Sequence, residues 1–232
     1  MNATYTAAGL IVAAGSSSRM GFDKMTAPLQ GRPVAEWSLR AFQQCSEITH
    51  GVLVCAPDRI AEFQKLAAPY PKFQHIVAGG SERSASVLNG LRALASFAPN
   101  FVAVHDAARP LVTPALITCI LAAARIHQAA SAAQRMSDTL HRGDAAGVLL
   151  ETVPREGVFA MQTPQVAGFD ILLAALEAQL AGSTDEVSAL IAHGIHPVAI
   201  LNDQPNFKIT YPQDLALAEA LLAMGSFISN QT

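Results

Sequence analysis

Two cations, Arg19 and Lys24, stand in a short loop that follows an apolar run. The stretch reads Leu10–Met20, LIVAAGSSSRM, continued by Gly21-Phe22-Asp23-Lys24, and no carboxylate precedes Asp23 in the loop. A small, hydroxyl-rich loop after an apolar strand, with a helical pattern beginning near Pro33, suits a phosphate chain. Backbone N–H groups and the helix dipole attract the anion, and the side-chain cations neutralise it. An ordinary strand-to-helix turn, with Gly15 at the bend and Arg19 solvated, remains the alternative at this point. The two common glycine loops do not fit. A P-loop needs glycine where Met20 stands, and a dinucleotide fingerprint needs one where Ser17 stands.

Further chemistry-bearing residues follow later apolar runs. Gly79, Gly80, Ser81, Arg83 and Ser86 follow the third, Asp106 and Arg109 the fourth, and Thr139, Arg155, Thr163 and Lys208 come later. In a parallel sheet, ligands sit at the carboxyl ends of the strands, where these residues would gather. The set is cationic and hydroxylic, with one obvious carboxylate. It suits a polyphosphate with a divalent metal and not a proton-abstraction site with paired carboxylates. Each residue also has a plainer reading. Gly79-Gly80 could be a turn, Asp106 a cap, the arginines surface ion pairs and Lys208 a solvated turn residue. His193 and His196 have a metal-like spacing but flank a helix-end glycine without a third ligand, and read as structural or surface residues. His105 reads as a packed strand-end residue. No nucleophile-elbow sequence is present.

The elements that must position these residues alternate. Thr6–Ala13 reads as a buried strand, Pro33–Cys45 as a helix burying Val34, Trp37, Leu39 and Phe42, and Gly51–Ala56 as a second strand. A helix opens at Pro57-Asp58, a short strand spans Gln74–Val77, and Ser81 is expected to N-cap a helix running to Leu94. Phe101–His105 reads as a fourth strand and Pro114–Ala129 as a helix. This alternation implies βαβ units and a mostly parallel sheet sandwiched by helices. Residues 131–161 break the pattern with short β-like runs, SAAQRM and GVLLETV, and no amphipathic helix fits them. They read as a β-arm excursion at about 136–161, and its exposed Val148, Leu149, Leu150 and Val153 call for cover by a second copy. Helices are expected again at Asp170–Leu180 and Asp185–His193, a strand at Val198–Leu201, and a terminal helix at Pro212–Met224 with Leu215, Leu217, Leu221 and Leu222 inward.

Composition bounds the alternatives. A chain of 232 residues suits one α/β domain, residues 1–232, and 51% hydrophobic with 14% charged residues argues against disorder. A net charge of −3 argues against non-specific nucleic-acid binding, so an anionic ligand must be met by a local cation cluster. Cys45, Cys55 and Cys119 lack metal-like spacing and read as reduced packing residues of a cytoplasmic protein. No apolar run reaches membrane-spanning length and no leader pattern is seen, so no membrane partner is expected.

Taken together, VAAGSSSRMGFDK, GGSERSASVLNGL, VHDAARP, DTLHR, ETVPREGVFAMQTPQ, TDEVS and NFKIT-YPQDLALAE resemble the cytidylyltransferases that act on 2-C-methyl-D-erythritol 4-phosphate. The resemblance runs in order from Leu10 to Glu219. It implies a Rossmann-like, glycosyltransferase-A-like sheet and transfer of a cytidylyl group from CTP, with magnesium, in non-mevalonate isoprenoid synthesis. Residue by residue, it implies that Arg19 and Lys24 stabilise the triphosphate and the transition state. Backbone groups at Ala13, Ala14, Gly15 and Gly80, with Ser81, Arg83 and Ser86, make the CTP side. Asp106 would sit near the ribose and the metal. Arg109, Thr139, Arg155, Thr163 and Lys208 would hold the polyol phosphate, with Arg155 reaching into the site of a dimer partner. Two positions depart from the family pattern. Thr26 stands seven residues after Arg19, where relatives carry lysine, so Lys24 is expected to substitute. Ser81 stands where many relatives carry Asp. Enzymes acting on ribitol 5-phosphate or another polyol phosphate share most of the motifs, but the former typically carry Val in place of Ala108. A catalytically inactive nucleotide-binding homologue is the reading from another class.

Overall fold

In the computed structural model, residues 5–15, 20–178 and 184–225 are described. Arg19 and the end of the helix expected over Asp170–Leu180 lie outside them. In chain order the elements are β1 (Ala7–Val12), β2 (Pro28–Leu29), β3 (Arg32–Pro33), α1 (Val34–Gln44), β4 (Ile48–Cys55) and α2 (Ile60–Ala67). Then come β5 (His75–Ala78), α3 (Arg83–Leu94), β6 (Phe101–Asp106), α4 (Pro114–His127) and β7 (Ala129–Arg135). The chain continues through β8 (Leu140–Gly143), β9 (Leu149–Val153), β10 (Phe159–Gly168), α5 (Phe169–Ala178), α6 (Glu186–Ala192), β11 (Val198–Leu201) and α7 (Pro212–Ala223).

Among the described residues, seven strands form one sheet in the order β11-β7-β10-β6-β1-β4-β5. All neighbours pair parallel except β10, which runs antiparallel to both β6 and β7. Period-two alternation divides the core between the two faces. From β1, Ala7 and Ile11 pack on one side with Leu39 and Phe42 of α1, Phe63 of α2 and Ile117 of α4. Ala8, Leu10 and Val12 pack on the other with Val87 and Leu91 of α3, Leu172 of α5 and Leu190 of α6. A smaller cluster ties Trp37 and Leu29 to Ile209, Ala218 and Leu222, fastening α7 beside the β2–β3 turn.

Several expected boundaries move. Residues Ser131–Arg135 lie in β7, inside the sheet, because antiparallel β10 pairs along them and parallel β11 joins it in burying Ser131, Ala132 and Ala133. They are not part of an excursion, and α4 ends at His127, two residues before the expected Ala129. What leaves the sheet is the stretch between β7 and β10, where β8 and β9 pair with each other. Ser81 does not cap α3, which starts at Arg83 after Glu82. No side chain caps α3; instead the Ser86 hydroxyl donates back to the Glu82 carbonyl (3.0 Å) and accepts from the Gly80 amide (3.0 Å), which ties the glycine loop to the first turn of the helix. Leu217 is 51% exposed, because Ala218 and Leu222 form the inward face of α7. Cys45 and Cys55 are buried, but Cys119 is exposed on α4 and is not a packing residue. The tight β2–β3 hairpin, with Gln30 and Gly31 both at positive φ, had no counterpart in the reading of the sequence.

Candidate active site

The carboxyl ends of β1, β5 and β6 open onto a cavity of about 400 Å³. Ala14, Gly15, Lys24, Gly80, Ser81, Arg83, Ser86, Asp106 and Lys208 all line it. At Gly79 an added Cβ would meet the Ala14 Cβ at 2.6 Å and the Ser86 Oγ at 2.9 Å, so the bare backbone at this position lets the two loops meet. Ala13 does not line the cavity: it is buried, and its amide donates to the Val54 carbonyl (2.7 Å).

Lys24 reaches the cavity because of a compact turn. Asp23 accepts from the Met25 and Thr26 amides and from the Thr26 hydroxyl (2.5 Å), which turns Thr26 away. Burial opposes the charge on Asp23, but these hydrogen bonds and Arg59 outweigh it and hold the carboxyl below its usual range. Arg59 reinforces the turn with a 2.7 Å ion pair to Asp23. Lys24 is itself 7% exposed and donates to the Ile209 carbonyl (2.9 Å), while Thr26 is absent from the lining.

Lys208 is delivered from the opposite side. The Ile209 amide donates to the Ala108 carbonyl (2.8 Å), and Asp214 accepts from the Thr210 and Tyr211 amides (both 2.8 Å). Pro212 at the first position of α7 and Asp214 two residues later are what make this start stable. The Lys208 ammonium then meets Asp106 Oδ2 at 2.7 Å. Arg83 Nε takes Asp106 Oδ1 at 2.9 Å, and its two terminal nitrogens take both oxygens of Glu186 at 2.7 and 3.0 Å. Burial would raise the Asp106 carboxyl, but Arg83 and Lys208 outweigh it and hold it far below the usual range. Burial likewise opposes the charge on Arg83, and the carboxylates of Glu186 and Asp106 reverse that effect and raise it.

A second cavity of about 210 Å³ adjoins the first and is lined by Arg109, Thr163, Gln165 and Asp185 among others. A shift in register between Met161 and Gln165 bulges β10 and turns Thr163 into this wall. Thr163 accepts from the Asp106 amide (3.2 Å) and bonds His105 Nδ1 (3.0 Å). The other ring nitrogen of His105 lies 3.3 Å from the Arg109 carbonyl, which can only accept, so Nε2 carries the proton. Burial drives His105 down to about 3, so the ring is neutral. Arg109 donates to the carbonyls of Asn206 (2.8 Å) and Met161 (3.4 Å), and burial lowers it against the pull of Asp106.

The expected site residues thus divide. Lys24, Arg83, Asp106 and Lys208, with Ala14, Gly15, Gly80, Ser81 and Ser86, converge on the first cavity. Arg109 and Thr163 reach the second. Thr139 and Arg155 line neither: both are exposed on the flanks of the β8–β9 ribbon, and Arg155 donates to the Ser137 carbonyl. Two features of the site carry no sequence signal of their own: Glu186, although it lies in the TDEVS run, and the buried amides of Gln162, Asn202 and Asn206 behind Thr163.

The model of the family described as IspD, 2-C-methyl-D-erythritol 4-phosphate cytidylyltransferase, matches residues 7–224. The chain belongs to this family. The protein of that name from Cereibacter sphaeroides is 40% identical over 95% of this chain and 99% of its own. The one from Ralstonia nicotianae is 41% identical over 92% and 90%. Among solved structures, the 4-diphosphocytidyl-2C-methyl-D-erythritol synthase from Anaerococcus prevotii superposes with a TM-score of 0.83 at 26% identity, covering 95% of this chain and 97% of that one. A second synthase of that name gives 0.80 at 30% identity, covering 94% and 99%. As a member of this cytidylyltransferase family the protein is a nucleotidyltransferase with a mixed α/β fold.

Proposed function

We propose that the protein transfers the cytidylyl group of CTP to the phosphate of 2-C-methyl-D-erythritol 4-phosphate. The observation that carries this reading is that two cavities, one rimmed by the glycine-loop and Lys24 side and the other by Arg109 and Thr163, meet at Asp106 and Lys208. A phosphate monoester oxygen of the polyol attacks the α-phosphorus of CTP, the bond from that phosphorus to the bridging oxygen breaks, and pyrophosphate leaves. The nucleophile is already ionised at neutral pH, so no general base is needed. Positioning of anions and stabilisation of charge supply the rate.

In this reading Arg19 and Lys24 neutralise the triphosphate. Backbone groups at Ala14, Gly15 and Gly80, with Ser81 and Ser86, hold the nucleoside. Lys208, Arg109 and Thr163 hold the polyol phosphate, and Asp106 lies between the two substrates. A magnesium ion bound with the triphosphate would neutralise charge and orient the leaving group. No cluster of three His, Cys, Asp or Glu side chains among the described residues could hold a metal alone. Asp106 already serves Arg83 and Lys208, and Glu82 is the other carboxylate lining the first cavity. The residues therefore fit a metal carried by the nucleotide and not a protein cage.

The β8–β9 ribbon exposes Val148, Leu149 and Leu150 (57, 67 and 63%), which supports a homodimer in which this face is covered. Thr139 and Arg155 would then complete the partner's polyol site. The free thiols and the absence of a helix long and apolar enough to cross a membrane among the described residues fit a cytoplasmic enzyme. The test is pyrophosphate release from CTP and magnesium with a panel of polyol phosphates. Release with 2-C-methyl-D-erythritol 4-phosphate is expected. Release with ribitol 5-phosphate alone would overturn the substrate, and CTP binding without release from any would point to an inactive binding homologue.

A further inference from the structure

Among the described residues, the two cavities share Arg83, Asp106 and Lys208. These three side chains form the partition across which the proposed reaction must occur. Each charge in the partition has a definite partner, and the series begins with a residue that lines neither cavity. Glu186, 1% exposed at the start of α6, holds both terminal nitrogens of Arg83. Arg83 Nε then holds one oxygen of Asp106, and Lys208 holds the other. The signs alternate from Glu186 to Lys208, so each buried charge is compensated by its neighbour, as burial requires.

We infer that Glu186 is a positioning residue that keeps the guanidinium fork of Arg83 off the nucleotide phosphates and so fixes Asp106 between the two substrates. The argument is one of competition. A guanidinium pairs bidentately with carboxylate or phosphate, whichever is presented in the right plane. Arg83 lines the first cavity, where the resemblance had it serve CTP. With Glu186 in place its three nitrogens are committed to carboxylates, and Arg83 acts as a strut instead of a phosphate ligand. Without that carboxylate the fork would be free to turn to the triphosphate and draw away from Asp106. Asp106 would then rest on Lys208 alone, and Lys208 would be pulled from the polyol phosphate.

This inference rests on the assignment of the two cavities to CTP and the polyol phosphate, and its test separates the two. Glu186→Gln should raise the KM for the polyol phosphate by about tenfold or more while CTP binding, measured by calorimetry without polyol, stays equal or becomes a few-fold tighter. Opposite movement of the two affinities is not what a loosened fold produces. Glu186→Asp, which keeps the charge, should recover part of the loss. If Glu186→Gln does not fold, the double variant Arg83→Gln/Glu186→Gln removes both buried charges, and its polyol KM should equal that of Arg83→Gln alone. Parallel weakening of both substrates, an unchanged polyol KM in the active enzyme, or a double variant worse than Arg83→Gln would each overturn the role of Glu186. None of those results would touch the reaction itself, which the wild-type substrate panel decides.

Discussion

The wall between the cavities and the β8–β9 ribbon hold their charges in opposite ways. In the wall, Asp106 is 7% exposed, and each of its oxygens has a cation within 2.9 Å. In the ribbon, the ion pair Arg142–Glu151 is 69% and 58% exposed, and Arg155 and Thr139 stand in solvent. Exposed pairs of that kind contribute little to stability, whereas removing one partner of a buried pair costs several kcal/mol. The geometry of the wall therefore follows from how one chain folds. The ribbon pairs only with itself and leaves its charges in solvent, so a role for them rests on the proposed dimer.

The largest effect is expected in the first cavity, across from the wall, where Lys24 is held by the same single-chain folding. Lys24→Ala should lower turnover by about a hundredfold, the scale seen when one preorganised charge at a transition state is removed. Thr26→Ala should stay within about threefold, because its hydroxyl serves the Asp23 turn and not the cavity. Turnover measured with saturating CTP separates the two. The reverse ranking would mean that the turn seen here does not present the catalytic lysine.

Subunit mixing tests the other half of the comparison. If Arg155 acts on the partner's site, Arg155→Ala and Lys208→Ala chains, each nearly inactive, should complement each other. Equal mixing makes half the dimers mixed, and each mixed dimer has one intact site, so about a quarter of wild-type activity should return. No recovery, with mixed dimers demonstrated by mass, would show that Arg155 works within its own chain or not at all.

These two halves were also unequally legible in the sequence. Alternating apolar runs dictated the parallel sheet, and the rule that ligands gather at strand ends brought Gly80, Asp106 and Lys208 together correctly. What the sequence hid is whatever depends on a partner far along the chain. SAAQRM looks like an isolated β-run because burial by β10 and β11 comes from residues 24 or more positions later. Glu186 looks like a solvated helix-start acid because Arg83 lies 103 residues away. The antiparallel turn of β10 is likewise set by its neighbours and not by its own pattern.

The smallest effect concerns His105, and it again separates wall from ribbon. Fully buried and neutral, His105 lies on Phe42 with ring centroids 5.3 Å apart and fixes the Thr163 hydroxyl through Nδ1. Burial holds its folded value near 3 against an ordinary 6.5. As pH falls through that interval the unfolded chain takes up the proton and the folded one does not, so stability present above 6.5 is lost on the way down. The slope for one such group is about 1.4 kcal/mol per pH unit. The lowered Asp106 carboxyl cannot imitate this, because its contribution fades only below the ordinary carboxylate value of 3.8. Melting curves between pH 6.5 and 4 should therefore flatten in His105→Asn, which keeps an acceptor for Thr163 but has no proton to gain. In Arg155→Ala, out on the ribbon, the slope should be that of the wild type. An unchanged slope in His105→Asn would mean that the ring takes up its proton inside the fold.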